Sequence, residues 1–140
     1  MVYKRFKRII DLSGAIVLCI ILSPVLAITA LAVRLDSNGP VLFRQDRLGY
    51  KGKVFRILKF RSMVVGAEQQ GSGVYSFKGD SRITKVGKFI RATSLDELPQ
   101  LFNIIKGEMS FIGPRPALTY HPWPLENYNE EQRRMFDVLP

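Results

Sequence analysis

The longest apolar stretch of the sequence lies near its amino terminus. Residues 12–33 form a run of 22 residues without a charged side chain. As a helix this run is about 33 Å long, which is enough to cross the hydrocarbon core of a bilayer. Ser23-Pro24 stands near its midpoint, where proline removes a main-chain donor and crowds the preceding turn. The pattern therefore predicts a bent helix that either spans a membrane or enters and leaves it by one face.

Basic residues flank this run on both sides, and both flanks favour the cytoplasmic face of a membrane. This symmetry favours a re-entrant path, although the apolar run by itself is equally compatible with a kinked single pass. A signal peptide is disfavoured because the run is longer than a usual h-region. Asp11 is expected at the membrane boundary, paired with Lys7 or Arg8. The flanking cations are Lys4, Arg5, Lys7 and Arg8 before the run, and Arg34, Arg44, Arg47, Lys51 and Lys53 after it.

Shorter periodic segments after Gly39-Pro40 predict a small mixed domain. Residues 41–43 and 54–58 have the composition of short strands. Residues 65–80 are rich in Gly, Ser and Gln, which is typical of a surface loop. Residues 82–92 place apolar side chains at helical spacing with cations between them. This last segment predicts an amphipathic helix that lies on a bilayer, lines a basic groove or exposes a solvated face.

A second helix is predicted after residue 93. Gly107 is a natural helix end, and Pro99 is tolerated only in or near a first turn. The helix is therefore expected to begin between Ser94 and Glu97, which also have the spacing of a capping box. Its apolar stripe consists of Leu95, Leu98, Leu101, Phe102 and Ile105.

The composition limits the partners and the metals that the chain can bind. A formal charge of +9 favours phosphorylated small molecules, acidic lipid headgroups or nucleic acid. Cys19 is the single cysteine, which excludes a disulfide framework within one chain and a multi-cysteine metal site. His121 is the single histidine and is interpreted as structural. Packing roles are predicted for Tyr120 and Trp123.

Asp96 and Glu97 are the most informative pair of side chains. At a predicted helix start, main-chain N–H groups and the helix dipole favour negative charge, so Asp96 is expected to stay ionised. A carboxylate can attack phosphorus, and two adjacent carboxylates can bind Mg²⁺. Acids at helix starts are nevertheless more often simple caps, so the spacing alone does not decide between these roles.

Several cations are candidate phosphate ligands. Arg115 stands between two prolines, and its planar guanidinium suits a rigid phosphate clamp. Lys59, Arg61 and Arg91 are further candidates. For each of these side chains, taken alone, an ordinary surface charge is the alternative.

Taken together, these residues resemble the bacterial sugar transferase family, the monotopic phosphoglycosyl transferases. The resemblance covers nearly the whole chain, with residues 65–80 the least characteristic. An ordered set of this kind is highly specific, unlike any one of its members. The matching stretches are Lys-Arg-Ile-Ile-Asp at 7–11, Ser23-Pro24, residues 39–49, Lys-Phe-Arg-Ser-Met at 59–63, residues 93–101 and residues 106–116.

The resemblance implies an α/β fold that is mostly helical with few short strands. Residues 1–38 are expected to form a re-entrant membrane helix broken at Ser23-Pro24. Residues 39–140 are expected to form a small catalytic domain with interfacial amphipathic helices. This domain would lie on the cytoplasmic face of the bacterial inner membrane. Family members usually continue past residue 140 through a Pro-Gly-x-Thr-Gly segment, which is expected to help bind the nucleotide.

The resemblance also implies a reaction. Asp96 is expected to be the nucleophile and Glu97 its partner, with Mg²⁺ bridging Asp96 and the donor. A UDP-sugar would give its sugar phosphate to Asp96 with release of UMP, and polyprenyl phosphate would then accept it. Arg91 and Arg115 match family positions near the phosphate, and Lys59 matches a basic position of the motif at 59–63.

Two other classes of function compete with this one. A non-catalytic, membrane-anchored basic module that binds anionic lipid or a partner protein predicts that Asp96→Asn leaves all function intact. A nucleic-acid-binding domain is suggested only by net charge, lacks a recognisable motif, and is not expected. The expected partners are therefore a UDP-sugar, polyprenyl phosphate and membrane lipid, and oligomer formation is left open.

Overall fold

The computed structural model describes residues 2–71, 73, 76–77, 79–119 and 125–140. The roles predicted for Tyr120, His121 and Trp123 lie outside the described residues. The chain divides into two compact units. Unit 1 comprises Met1–Ile21, Arg44–Leu58 and Gln100–Pro140, and unit 2 comprises Leu22–Phe43 and Lys59–Pro99. The sequence-based boundary between residues 38 and 39 stays a prediction.

Helices dominate the described residues, and a small sheet accompanies them, which confirms the predicted mixed α/β class. The sheet has the strand order β2-β1-β3, and β3 pairs antiparallel with β1 through Arg47 with Leu118 and Leu48 with Ala117. The helices are α1 (Val2–Ile21), α2 (Ser23–Asp36), α3 (Lys85–Ala92), α4 (Gln100–Lys106) and α5 (Glu130–Arg134). The strands are β1 (Leu42–Leu48), β2 (Val54–Phe60) and β3 (Ala117–Leu118).

The predicted break in the apolar run is confirmed at Ser23-Pro24. Helix α1 ends at Ile21, and Pro24 stands in the first turn of α2, where a missing N–H costs no helical hydrogen bond. Among the described residues, no single helix is both long and apolar enough to cross a membrane. The helices on either side of the break, Arg5–Ile21 and Ser23–Asp36, meet the requirement only together, and they are bent by 65°. The geometry suits a broken span or a re-entrant loop.

The pairing predicted for Asp11 is confirmed in unit 1. Its side chain is buried, and its Oδ2 lies 3.4 Å from Nζ of Lys7. Its Oδ1 accepts a hydrogen bond of 3.4 Å from the main-chain N–H of Phe111. The ammonium of Lys7 also donates to the carbonyl oxygen of Ile112 at 3.0 Å. These contacts tie the first turns of α1 to residues 110–112.

Asn103 connects α4 to β2 within unit 1. Its side chain has no exposed surface, and its Oδ1 accepts from the N–H of Leu58 at 3.0 Å. Its amide nitrogen donates to the carbonyl oxygen of Arg56 and to Oε2 of Glu108, both at 2.7 Å. A buried amide with partners on both sides satisfies its polar atoms and fixes how the helix lies on the strand.

The core of unit 2 is built from α2, β2 and α3. Val33 of α2, Phe60 of β2 and Ile90 of α3 are buried together. Gly87 of α3 allows this approach, because a Cβ there would lie 2.0 Å from the carbonyl oxygen of Ser62. The side chains packed around this core are those of Leu26, Ala30, Val41, Leu42, Val86, Leu95 and Leu98.

Two sequence predictions for the region after residue 93 are wrong. Helix α4 begins at Gln100, so the predicted start between Ser94 and Glu97 is displaced, and Ser94 makes no side-chain cap. Ser94 instead has a φ of 58°, a left-handed conformation that ends α3 and reverses the chain. Since the helical period does not continue across Pro99, Phe102 is 42% exposed rather than part of one buried stripe. The predicted helix end at Gly107 is confirmed by a φ of 87°.

Candidate active site

Asp96 and Glu97 lie in a single 3₁₀ turn, Leu95–Glu97, which follows α3 directly. The N–H of Glu97 donates to the carbonyl oxygen of Ser94, and that of Leu98 donates to the carbonyl oxygen of Leu95, both at 3.2 Å. The side chains of Leu95 and Leu98 pack into the core of unit 2. The turn is therefore anchored by its apolar residues, and the acidic pair stands between them.

Lys59 is paired with the second of these acids. Its Nζ lies 2.7 Å from Oε1 of Glu97, and the Lys59 side chain is 20% exposed against 50% for Glu97. Lys59 belongs to the end of β2, so the strand brings a cation to the acidic turn. The ion pair holds both side chains beside Asp96 and reduces the repulsion between the two carboxylates.

Burial raises the pKa of Asp96 above its ordinary value, and this is the largest effect on the group. The charge of Lys59 opposes the rise in pKa, that of Glu97 adds to it, and that of Arg91 opposes it. The hydrogen bond with the residue's own main-chain N–H also lowers the pKa. The α-helix begins only at Gln100, so its start does not coincide with this carboxyl, and burial outweighs the effect of the local N–H group on the pKa. That Asp96 stays ionised remains a prediction.

Arg91 reaches the same neighbourhood from the last turn of α3. Its Nη2 donates to Oγ of Ser76 at 2.5 Å, and its charge acts on both Asp80 and Asp96. Unit 2 thus brings together four of the residues singled out from the sequence: Lys59, Arg91, Asp96 and Glu97.

Arg61 is placed differently. It is 5% exposed, and its guanidinium donates to the carbonyl oxygens of Ser37 and Asn38, both at 2.6 Å, and of Val33 at 3.4 Å. These carbonyl groups lie at the end of α2, where main-chain acceptors lack helical donors. The contacts indicate that Arg61 closes this helix, and its binding of phosphate stays a prediction.

Arg115 belongs to unit 1, and its role at a phosphate also stays a prediction. It lines a small cavity whose wall includes Leu48, Met135 and Phe136. The turn that carries it is held closely, because Nη1 of Arg47 donates to the carbonyl oxygen of Pro116 at 3.1 Å. Residues 113–116 are not helical.

The acidic pair fits one kind of magnesium site and not another. Among the described residues, no group of three or more His, Cys, Asp or Glu side chains is arranged to hold a metal ion. An all-protein metal cage is therefore not formed by this part of the chain. Mg²⁺ in phosphate-handling sites instead takes one or two carboxylates and completes its shell with substrate oxygens and water. Asp96 with Glu97 supplies such hard oxygen donors.

Sequence reasoning missed the pair Asp80 and Arg82, which are both buried. Nε of Arg82 donates to Oδ1 of Asp80 at 2.9 Å, and Nη2 donates to Oδ2 at 2.6 Å. These bonds are the largest cause that lowers the pKa of Asp80 to about 2. An aspartate two residues before an arginine, directly after a glycine-rich stretch, is the only signal in the sequence. It does not distinguish a buried pair from a solvated one.

Comparison with known proteins places this arrangement in context. Residues 2–140 match the family described as bacterial sugar transferase. The UDP-glucose:undecaprenyl-phosphate glucose-1-phosphate transferase of Klebsiella pneumoniae is 49% identical over 116 residues, which are 83% of this chain and 25% of the relative. The protein of the same name from Escherichia coli (strain K12) is 44% identical over 136 residues, 97% of this chain and 28% of the relative.

A third relative names a different sugar. The putative undecaprenyl-phosphate N-acetylgalactosaminyl 1-phosphate transferase of Bacillus subtilis (strain 168) is 45% identical over 114 residues, 81% of this chain and 63% of the relative. The chain therefore spans about a quarter of the length of the first two relatives and less than two thirds of the third.

Proposed function

Because the chain belongs to the bacterial sugar transferase family, we propose that it transfers a sugar 1-phosphate from a UDP-sugar to a polyprenyl phosphate. The relatives are named for undecaprenyl phosphate as acceptor and for glucose or N-acetylgalactosamine as the sugar. Since these names differ in the sugar and agree in the lipid phosphate, the proposal specifies the acceptor class and leaves the sugar open.

The observation that carries the proposal is the environment of Asp96. Its carboxyl is partly buried and has a raised pKa, yet two cations, Lys59 and Arg91, act on it. Within the described part of the chain, the Asp96 carboxyl forms no ion pair, and a partly buried acid with a raised pKa is a candidate functional group. Phosphate oxygens entering this site would meet the field of the same two cations.

The reaction proceeds in two displacements. A carboxylate oxygen of Asp96 attacks the phosphorus that carries the sugar, and the bond from that phosphorus to the bridging oxygen of UMP breaks. UMP leaves with the electron pair of that bond. A phosphate oxygen of the lipid then attacks the same phosphorus, the bond to Asp96 breaks, and the carboxylate is restored. Covalent catalysis of this kind divides one difficult transfer into two easier ones.

The neighbouring residues have separate roles in this scheme. Lys59 keeps Glu97 in place through the ion pair of 2.7 Å. Arg91 offers guanidinium donors to the phosphate, since one of its nitrogens is engaged by Ser76 and a guanidinium carries five N–H groups. Asp96 and Glu97 would hold Mg²⁺, which when bound neutralises the charge of the donor diphosphate. Arg115 is proposed separately as a phosphate-binding residue.

The lipid acceptor calls for a membrane-bound enzyme. The bent pair of apolar helices supports a membrane anchor, and its 65° bend suits a re-entrant one. The proposal places residues 39–140 on the cytoplasmic face of the bacterial inner membrane. The acceptor phosphate lies at the lipid–water boundary, and the donor is soluble. A basic domain held at that boundary brings the two substrates together.

The test uses the protein in nanodiscs with Mg²⁺, polyprenyl phosphate and a panel of UDP-sugars that includes UDP-glucose and UDP-N-acetylgalactosamine. We expect UMP release with at least one donor, its loss on chelation of Mg²⁺, and a mass increase of one sugar phosphate on Asp96 when the acceptor is omitted. Asp46→Asn is the matched control, because the Asp46 side chain is 55% exposed and its ion pair lies in unit 1. UMP release that is unchanged in Asp96→Asn rejects this nucleophile.

A non-catalytic basic module is the alternative outcome. In that case the protein binds vesicles that contain anionic lipid, and no donor in the panel yields UMP. Binding would then be equal in the wild type and in Asp96→Asn, because the acidic turn would have no part in it.

A further inference from the structure

We propose that Arg82 is a positioning residue of this site, which holds the described residues that it binds between 67 and 80 and, through Ser76, sets where the guanidinium of Arg91 lies. The inference rests on the proposed function, because it concerns the arginine that is proposed to bind the donor phosphate. It adds a residue that lies outside the acidic turn and that does not itself touch the substrate.

The described residues of the range 64–80 bury few apolar side chains. Among their described residues, Ala67 is the only buried apolar side chain. The segment also contains four glycines with positive φ, at 78°, 59°, 61° and 85° for Gly66, Gly71, Gly73 and Gly79. Such glycines allow sharp turns and leave the unfolded segment with large conformational freedom. Polar contacts therefore contribute to the order of its described residues.

Arg82 supplies those contacts from one buried guanidinium. Its Nη1 lies 2.7 Å from each of the carbonyl oxygens of Ala67, Gln70 and Gly73, which share its two N–H groups as acceptors. These acceptors recur every three residues along the segment. One nitrogen therefore contacts the main chain at three successive points. The edge of the guanidinium formed by Nε and Nη2 donates to the two carboxylate oxygens of Asp80. Lysine cannot replace this arrangement, because it lacks the planar fork of donors.

The contact between Ser76 and Arg91 links the residues held by Arg82 to the candidate site. Ser76 lies three residues after Gly73 and four before Asp80, and both of these neighbours are bound to Arg82. Its Oγ accepts from Nη2 of Arg91 at 2.5 Å. Arg91 is the residue whose charge reaches Asp96. A shift of the segment would therefore move the partner that orients the Arg91 guanidinium.

Steady-state kinetics of a double-mutant cycle test the proposal. We expect Arg82→Lys to raise the KM for the UDP-sugar by about tenfold, since misplacement of a substrate-positioning group costs on the order of 10- to 100-fold. In an Arg91→Ala background, the same change should alter the KM less than about twofold, because the group on which it acts has gone. Arg56→Lys is the matched control, since Arg56 forms an exposed ion pair with Asp46 in unit 1.

Ser76→Ala keeps the buried pair intact and guards against a general folding defect. Like Arg82→Lys, it should raise the donor KM. The KM of the double variant should not exceed that of the more affected single variant. The proposal is overturned if Arg82→Lys raises the donor KM by the same factor in the wild-type and Arg91→Ala backgrounds. It is also overturned if Arg82→Lys leaves the donor KM unchanged.

A measurement without turnover separates this inference from the proposed function. In ¹⁵N-arginine NMR spectra, the Nε–H signal of Arg91 should shift in Arg82→Lys and in Ser76→Ala, and it should not shift in Arg56→Lys. This result is expected even if no donor is used. An Arg91 signal that stays in place in Arg82→Lys contradicts the positioning role, whatever the activity assay shows.

Discussion

Asp80 and Asp96 are aspartates of the same compact unit, and their pKa values move in opposite directions. Asp80 is almost fully buried, yet its pKa falls to about 2, because Arg82 binds both carboxylate oxygens. Asp96 is only partly buried, yet its pKa rises, because burial exceeds the effect of cations that act on it through space. A direct ionic partner, rather than the depth of burial, determines the direction of the shift.

The difference separates an acid that is paired inside the protein from the acid that is proposed to react. The charge of Asp80 is fully used inside the protein, where it balances a buried guanidinium. The ammonium of Lys59, whose charge acts on Asp96, forms its ion pair with Glu97. The charged form of Asp96 is therefore only partly stabilised by the cations around it. A divalent cation that accompanies the substrate would stabilise this charge further. The four predictions that follow test this contrast.

The largest effect is expected for Asp96→Asn. The amide cannot act as the nucleophile, so UMP release should fall by at least about 10³-fold, as is common when a nucleophile is removed. The melting temperature should stay the same or rise, because the substitution removes a charge that burial disfavours. UMP release and thermal unfolding, measured on the same preparation, check the expected loss of activity and the expected melting temperature. Loss of activity together with loss of fold would remove the contrast with Asp80.

The reverse pattern is expected for Asp80→Asn. Removing the charge leaves the buried guanidinium of Arg82 without its ionic partner, and uncompensated buried charge is strongly destabilising. The melting temperature should fall clearly more than in Asp46→Asn, which breaks an exposed Arg–Asp pair. Differential scanning calorimetry of the two variants checks this. Equal melting temperatures would show that the Asp80–Arg82 pair contributes no more than a surface pair.

Acid should unfold the protein partly through Asp80. Its pKa is about 2 in the folded state and about 3.9 in an unfolded chain. The unfolded state thus binds the proton more readily, and the stabilisation by this group is present above about pH 4 and is lost as the pH falls toward 2. Urea unfolding at a series of pH values should show a smaller loss of stability in Asp80→Asn than in the wild type. Parallel curves would place the acid sensitivity elsewhere.

Local signals predicted the elements of this fold well, and contacts between distant residues were not predicted. The break at Ser23-Pro24 and the helix end at Gly107 follow from the chemistry of proline and glycine, so both were readable from the sequence. The left-handed Ser94 was not, because serine adopts this conformation only where the surrounding structure imposes it. The buried role of Arg82 depends on three carbonyl groups up to 15 residues away, which no pattern of side chains reports.

The smallest effect on activity is expected for Lys59, the cation that is paired with Glu97 and whose charge also acts on Asp96. Lys59→Met removes the ion pair with Glu97 and one of the charges that lower the pKa of Asp96. Because the Glu97 side chain is 50% exposed, the pair itself contributes no more than about 1 kcal/mol. We therefore expect kcat to fall by about fivefold or less, with Lys59→Arg retaining most of the activity. A loss as large as that of Asp96→Asn would show that Lys59 binds the substrate directly, and the contrast would then involve three charged groups rather than two.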